Sequence, residues 1–360
     1  MTRPVIALLG RKDVPTDAVE EYCRYLGDAL KVHEFQLQIR RVPWELHGWR
    51  QSLRALHLQS AAWRDTWVLV QYTALAWSAR GFPLKFPRIL RVLKSAGARV
   101  AVVFHDVEPF TSTRPIDRLR HRVQMRTMRR ALDLADTAIF TVPPEKLSWL
   151  KAIQPKAAFV PVGANLPFPE LIAPRSEGDI PTVGVFSITG GEQGARETQQ
   201  ILAAVQQASR KLGPVRLSIF GRHSELREEV LRQGLQNFPV KLSVEGVVEP
   251  EQVVHRLAAC DVLLFVRNGI STRRGSAIAG IAAGLPVIAY PNSETAPPIT
   301  DAGVVLVNPG DLSSLNEALV RVLSDAGFRA ELSARSRAAY KAHFAWPAIA
   351  ERYVALLNPR

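Results

Sequence analysis

The sequence predicts an α/β protein built from two doubly wound parallel sheets. Strand-length runs of Val, Ile, Leu and Phe alternate with helical patterns along the whole chain, which is typical of parallel strands covered by helices on both faces. A segment with four prolines and no periodicity, residues 166–181, interrupts this series near its middle and is typical of a linker. A chain of 360 residues has room for two domains of ordinary size.

The predicted strands fall into two series. In the first half, apolar runs predict strands at 5–9, 67–71, 100–104, 138–142 and 159–162. In the second half, they predict strands at 183–186, 217–220, 242–244, 262–266, 287–290 and 304–307. We therefore expect a Rossmann-like domain over 1–165, the linker over 166–181, a second Rossmann-like domain over 182–342 and a final amphipathic helix within 343–360.

Composition indicates a soluble globular protein. Apolar residues make up 47% of the chain and charged residues 22%, and the longest apolar runs have the length of strands rather than of membrane spans. The first apolar stretch is too short for a signal peptide, so we expect a cytoplasmic protein. Cys23 and Cys260 are predicted to be buried free thiols. The sequence has no D-x-D pair or other metal-ligand spacing, so no metal or other cofactor is expected.

Positive charge is concentrated in the first half of the chain. The net charge is +13, and residues 1–165 alone hold 26 Lys or Arg and 14 Asp or Glu, a net +12. Many of these cations lie in 114–130, where arginines crowd around an irregular apolar stripe. A basic amphipathic helix of this kind indicates an anionic membrane surface as partner, although the arginines also fit an ordinary solvated face.

The tryptophans and the lack of a nucleic-acid-binding motif also help to identify the partner. Four tryptophans near several arginines either add an interfacial face or belong to the core; they are Trp44, Trp49, Trp63 and Trp67. Nucleic acid is the less favoured partner, because the sequence contains no recognised nucleic-acid-binding motif.

The segment 261–293 predicts a binding site for an anionic group. It reads as a buried strand, a polar loop, a helix of small residues and a second buried strand, and ligands of such units lie at the carboxyl ends of the strands. The loop 267–275 presents Arg273, Arg274 and Gly275, followed by Ser276, where the helix begins. Arginine suits bidentate binding of phosphate, and a helix N-terminus favours negative charge.

Other strand-end loops carry polar side chains. Gly190 and Gly191 follow the strand 183–186 and let backbone N–H groups approach a phosphate. His105 and Asp106 follow the strand 100–104, where they suit polar substrate contacts or proton transfer. Each of these loops also fits an ordinary turn between a strand and a helix. A nicotinamide cofactor is not expected, since no dinucleotide glycine fingerprint follows the first strand.

A family resemblance rests on two motifs. The run AAGLPVIAY at 282–290, after the strand that begins at Asp261, resembles the donor-binding half of retaining glycosyltransferases of the GT-B fold, family 4 type. The pattern of Trp346, Ala350 and Tyr353 is similar to the F-S-W-x-x-x-A-x-x-Y ending of such enzymes, whose last helix crosses back onto the first domain.

This chain departs from the family in two places. The two acidic positions of the family pattern fall on Ser271 and Ala279, and the Arg and Lys of its phosphate loop fall near Ile188 and Gln193. We expect Arg273 and Arg274, in the loop 267–275, to replace the missing cations.

The resemblance implies a transferase for a hexose, with a nucleotide diphosphate sugar as donor and a glycan or lipid-linked acceptor in cell-surface polysaccharide or glycolipid synthesis. Together with the arginine replacement, it leads us to expect the donor on Gly190, Gly191, Arg196, Gly221, Val247, Arg273, Arg274, Gly275 and Ser276. It places the acceptor near Arg11, Lys12 and Asp106, with His105 as the catalytic residue in the cleft, where it contacts the donor sugar. The expected location is peripheral, at the inner face of the cell membrane. A non-catalytic homologue that acts as a scaffold, or a nucleic-acid-binding protein, is the alternative.

Overall fold

The computed structural model describes residues 2–14, 16–112, 114–169 and 180–358. The chain forms two compact units: unit 1 comprises 1–161 together with 346–360, and unit 2 comprises 162–345. The first four positions of the predicted linker, 166–169, thus group with unit 2. Its middle part, 170–179, lies outside the described residues.

Unit 1 contains a six-stranded parallel sheet. Its strands are β1 (Arg3–Leu9), β2 (Phe35–Arg41), β3 (Trp67–Tyr72), β4 (Arg99–Phe104), β5 (Thr137–Phe140) and β6 (Ala157–Phe159). Their order in the sheet is β2-β1-β3-β4-β5-β6. The helices of unit 1 are α1 (Ala18–Lys31), α2 (Trp44–Ser60), α3 (Phe86–Ser95), α4 (Pro115–Leu134) and α11 (Trp346–Leu357).

Unit 2 contains a second six-stranded parallel sheet. Its strands are β7 (Thr182–Phe186), β8 (Val215–Phe220), β9 (Val240–Val244), β10 (Val262–Phe265), β11 (Val287–Ala289) and β12 (Val304–Leu306), in the order β12-β11-β10-β7-β8-β9. Its helices are α5 (Gly191–Leu212), α6 (Glu228–Leu235), α7 (Pro250–Ala258), α8 (Gly275–Ala282), α9 (Leu312–Ser324) and α10 (Ala326–Ala339). The two doubly wound parallel sheets confirm the predicted fold class.

Strand β2 was absent from the predicted elements. It lies at the edge of its sheet and pairs only with β1, from Arg3 opposite Phe35 to Leu9 opposite Arg41. Its residues alternate between apolar and polar side chains, because an edge strand is less covered than a central one. Continuous apolar runs are typical of central strands, so they do not mark an edge strand of this kind.

Helix α11 is tied to the core of unit 1. The hydroxyl groups of Tyr22 on α1 and Tyr353 on α11 lie 2.8 Å apart, and Trp67 Nε1 donates to the carbonyl of Leu357 over 2.9 Å. Because these groups are buried, their hydrogen bonds satisfy polar atoms that would otherwise be costly to bury. The last helix therefore packs as part of unit 1.

The tryptophans of the first half belong to the core. Trp63 and Trp67 are each only 8% exposed. Trp44 and Trp49 stack with ring centroids 5.1 Å apart and pack against the same core. The interfacial interpretation of Trp63 and Trp67 is therefore wrong. No helix within the described ranges is long and apolar enough to cross a membrane.

Candidate active site

The candidate donor site lies at the carboxyl ends of the strands of unit 2. In that sheet the chain runs from β7 outward through β8 and β9, then returns to β10 beside β7 and continues to β11 and β12. The connections therefore diverge between β7 and β10. In open α/β sheets, ligands bind at the carboxyl edge beside this point. The loops that follow β7 and β10 carry the glycines and arginines that form the candidate donor site.

The first of these loops ends at the N-terminus of α5. Gly190 is the N-cap of this 22-residue helix, and no described side chain caps it. Gly191 has a φ of +66°, and nothing lies within 4 Å of the position that a Cβ would take there. Exposed N–H groups and the helix dipole make this end attractive to an anion. Both glycines lie where the sequence places a phosphate loop.

Close packing also fixes Gly194, one turn into α5. A Cβ at this position would lie 1.7 Å from the carbonyl oxygen of Thr189, so even a methyl group has no room. The amide of Thr189 is held in turn by the buried carboxylate of Glu197, whose Oε2 accepts its hydrogen bond over 2.8 Å. Glycine at 194 thus sets the path of the loop.

We expect Gly194→Ala to destabilise unit 2. Overpacking of this kind costs about 1–3 kcal/mol in the free energy of unfolding, and urea denaturation followed by circular dichroism measures it. Gly275→Ala is the matched control, because nothing lies within 4 Å of its Cβ position at the start of α8. Equal stabilities of the two variants would contradict this account.

The loop after β10 contributes two partly buried guanidinium groups. Arg274 is the N-cap residue of α8, and its Nε is buried without a hydrogen-bond partner in the described part of the chain. Burial, reinforced by the charge of Arg273, lowers the pKa of Arg274 to about 10. A cation in this setting gains strongly from a bound anion, since an unpaired buried charge is costly.

Arg267 lies in the same loop and reaches across to the β7 loop. Its Nε donates to Thr189 Oγ1 and its Nη1 to Ser276 Oγ, each over 3.4 Å. Burial lowers the pKa of Arg267, and the nearby carboxylate of Glu197 opposes that effect. The charge of Arg267 also lowers the pKa of Arg274. The two arginines therefore share one site, at the point where the connections of the sheet diverge.

Arg273 has a different role. Its Nε and Nη2 donate to Glu294 Oε2 and Oε1 over 2.7 and 2.6 Å, and Ser271 Oγ donates to Glu294 Oε2 over 3.0 Å. Burial alone would raise the pKa of Glu294, but the hydrogen bonds from Arg273 and Ser271 lower it. The Arg273 fork thus ties the β10 loop to the β11 loop, and its charge is compensated by the carboxylate.

Three other predicted donor residues have no described hydrogen bond or ion pair with the two arginines. Gly221 has a φ of +97°, and its N–H donates to the carbonyl of Gly246 over 2.8 Å, which joins the ends of β8 and β9. Val247, beside Gly246, is 54% exposed. Arg196 lies exposed on α5 and donates to Gln193 Oε1 over 2.9 Å. Its described contact is with its own helix and not with the loop after β10.

The predicted residues of unit 1 gather at the carboxyl ends of β1, β3 and β4. A cavity of about 250 Å³ lies there, lined among others by Arg11, Asp13, Gln71, Thr73 and Asp106. Asp106 Oδ2 accepts a hydrogen bond from the amide of Ala74 over 2.7 Å, and Arg11 Nη1 lies 3.3 Å from Glu45 Oε1. Carboxylate, amide and hydroxyl groups around a small cavity suit a hydroxylated ligand.

His105 and Lys12 lie near this cavity in sequence but do not line it. His105 Nε2 is 2.8 Å from Gln71 Oε1, and the His105 ring packs edge-on against Tyr22 with centroids 5.1 Å apart. Lys12 is exposed. His105 therefore positions the amide of Gln71, which does line the cavity.

The cysteines and the other potential metal ligands do not form a reactive or metal-binding site in the described part of the chain. Cys23 and Cys260 are buried thiols. Burial raises the pKa of the Cys23 thiol, which makes it a poor nucleophile. Within the described ranges, no group of three His, Cys, Asp or Glu residues could hold a metal ion.

A family of known proteins matches most of unit 2. Residues 183–325 match the family described as glycosyl transferases group 1. These residues form a glycosyl transferases group 1 domain. They contain both loops of the candidate donor site. A comparison with curated proteins found no match.

Solved structures show the same fold over the whole chain. Sucrose-phosphate synthase from Thermosynechococcus elongatus is 19% identical, with a TM-score of 0.68 over 98% of both chains. WaaG, a glycosyltransferase involved in lipopolysaccharide biosynthesis, is 13% identical, with a TM-score of 0.65 over 99% of this chain and 100% of that one. Anabaena Alr3699/HepE in complex with UDP and glucose is 13% identical, with a TM-score of 0.62 over 99% of both chains. The chain has the GT-B fold, and fold and family together support a glycosyltransferase.

Proposed function

We propose that this protein transfers a hexose from a nucleoside diphosphate sugar to a hydroxyl group of a glycan or lipid-linked acceptor. The observation that carries the proposal is the pair Arg267 and Arg274. Both guanidinium groups are partly buried at the carboxyl edge of unit 2, where burial lowers their pKa values. No described carboxylate lies within ion-pair distance of either side chain. A diphosphate would supply the missing negative charge.

The chemistry follows from where negative charge develops. When the bond between the sugar and the diphosphate breaks, charge accumulates on the departing phosphate oxygen. Fixed cations in a site of low polarity stabilise that charge more than water does. Arg267 and Arg274, together with the exposed N–H groups at Gly190 and Gly191, would provide this stabilisation without a metal ion.

The resemblance to retaining enzymes favours retention at the sugar carbon. In that mechanism the departing phosphate accepts the proton of the acceptor hydroxyl. No protein side chain then has to act as a base, and the role of His105 is to position the amide of Gln71. The acceptor hydroxyl groups would lie in the cavity of unit 1, where Asp106 and Thr73 can form hydrogen bonds with them.

The donor base is proposed from the solved structures. Anabaena Alr3699/HepE was solved in complex with UDP and with UDP-glucose, so UDP-glucose is the first donor to test here. Synthesis of a cell-surface polysaccharide or glycolipid is the role we propose, since WaaG is involved in lipopolysaccharide biosynthesis.

Isothermal titration with UDP, UMP and the other nucleoside diphosphates tests the donor. We expect one diphosphate to bind at least about tenfold more tightly than its monophosphate, because each charge-assisted hydrogen bond contributes about 1.5–3 kcal/mol. Release of that diphosphate in the presence of its sugar and a glycan acceptor then tests transfer. Failure of every diphosphate to bind would overturn the proposal and favour a non-catalytic homologue.

A further inference from the structure

A basic groove of about 1070 Å³ runs between α3 and α4 in unit 1. On the α3 side it is lined by Lys85, Arg88 and Arg91, and on the α4 side by Arg122, Arg126, Arg129 and Arg130. Asp133 is the single carboxylate among the described residues that line it. A concave surface with this ratio of charges attracts phosphate-bearing partners.

The charge of the groove is largely uncompensated. Arg130 Nη1 lies 3.8 Å from Asp133 Oδ2, and both side chains are about half exposed. No described carboxylate lies within ion-pair distance of Arg88, Arg91 or Arg126. Surface arginines without partners remain available to an external anion, and their mutual repulsion falls when one binds.

Apolar side chains are exposed beside these cations. Leu84, which lines the groove, is 64% exposed, and Ile116 and Leu119 are each 51% exposed at the start of α4. Ile116, Leu119 and Val123 follow one another at helical spacing, so they lie along one flank of α4. Val123 also lines the groove. Cations and exposed leucines on one surface are typical of helices that lie in a membrane interface.

The groove is distinct from the candidate sites. Strands β3, β4 and β5 lie on one side of β1, and β2 lies on the other. Right-handed crossovers therefore place α3 and α4 on one face of the sheet and α1 on the opposite face. The sides of two helices form the groove, whereas strand-end loops form the 250 Å³ cavity.

We infer that this groove docks unit 1 onto a bilayer that contains anionic phospholipids. Lipid phosphates bind the cations of the groove, and Leu84, Ile116 and Leu119 enter the boundary between headgroups and acyl chains. A single-stranded nucleic acid fits the surface less well. Such ligands stack their bases on aromatic side chains, and the described lining contains none. The inference does not depend on the proposed transfer reaction.

Vesicle co-sedimentation tests this inference. The full chain is expected to sediment with vesicles of phosphatidylcholine and phosphatidylglycerol, and to stay in solution with phosphatidylcholine alone. High salt should release it, because salt screens exposed charges. The double variant Arg88→Glu, Arg126→Glu should bind these vesicles at least about 30-fold more weakly than the wild-type chain. Each cation near an anionic bilayer strengthens binding about fivefold, and two cations are lost.

The control reverses two charges on the other face. Arg24 and Lys31 on α1 have side chains that are 66% and 70% exposed, and their ion pairs contribute little to stability. Arg24→Glu, Lys31→Glu should sediment like wild type. Equal binding by the groove and control variants would overturn the inference. So would binding of the wild-type chain to a soluble oligonucleotide but not to phosphatidylglycerol vesicles.

The variant Leu119→Ser keeps every charge and should also weaken sedimentation with the vesicles. An unchanged sedimented fraction would show that apolar insertion plays no part.

Discussion

Arg274→Ala is expected to lower kcat/KM for sugar transfer about 100- to 1,000-fold. This range is typical for removal of one fixed donor that stabilises developing negative charge. The substitution also removes a buried cation whose Nε has no partner in the described structure, so the free protein should not lose stability. Initial rates of nucleoside diphosphate release, with the melting temperature measured alongside, separate the two effects.

Two further variants sharpen this prediction. Arg196→Ala removes an exposed arginine of the same unit whose described contact is with Gln193, and it should leave kcat/KM unchanged. Arg274→Lys keeps the charge but loses the planar fork, so its activity should fall between those of wild type and Arg274→Ala. Full activity of Arg274→Ala would refute the role of this residue, whereas equal losses in Arg274→Ala and Arg196→Ala would point to a nonspecific effect of charge.

The fold could be predicted because its central strands are buried on both faces. Strands β3 and β10 consist entirely of buried residues, so their sequences read as continuous apolar runs. Strand β2 has one buried residue, Phe35, among seven, and its alternation resembles that of many surface segments. Propensity and periodicity describe burial, and an edge strand is only partly buried.

The candidate donor site could be predicted only where it is local in sequence. The residue pattern directly marks the junctions between a strand and a helix. At these junctions lie Gly190, Gly191 and Arg274. The pairing of Arg273 with Glu294 joins positions 21 residues apart, and no local pattern announces it. The contact of Arg267 is equally non-local, since its partner Thr189 lies 78 residues away.

A carboxylate does adjoin the position where the family pattern has its first glutamate. That position holds Ser271, whose hydroxyl is completely buried and donates to Glu294. The acidic group thus reaches this place from the loop after β11 rather than from the loop after β10. The local sequence has serine instead of glutamate at 271, and it contains no sign of the Glu294 carboxylate that packs beside this position.

Glu294→Gln is expected to lower the free energy of unfolding of unit 2 by about 2–4 kcal/mol at neutral pH. Loss of one partner from a buried ion pair leaves the other charge uncompensated, and the Glu294 side chain is only 7% exposed. Glu228→Gln is the control, because its pair with Arg232 lies on the surface and contributes less than about 1 kcal/mol.

The pH dependence of this effect has a definite sign. The folded protein lowers the pKa of Glu294 below its ordinary value of 4.5, so the stabilisation is fully present above about pH 4.5 and is lost as the pH falls through the folded pKa. The difference in stability between wild type and Glu294→Gln should therefore be constant near neutral pH and shrink in acid. A difference that persists unchanged in acid would mean that shape, not charge, makes Glu294 important.

The chain offers an internal reference for this measurement. All seven tryptophans lie in unit 1, so tryptophan fluorescence follows the unfolding of that unit, whereas circular dichroism follows both. Glu294→Gln should shift the denaturation midpoint seen by circular dichroism to lower urea concentration, because the loss of the pair acts on unit 2. A shift of the fluorescence transition by the same amount would show that the two units unfold together, and a shift in neither signal would refute the contribution of the Arg273–Glu294 pair.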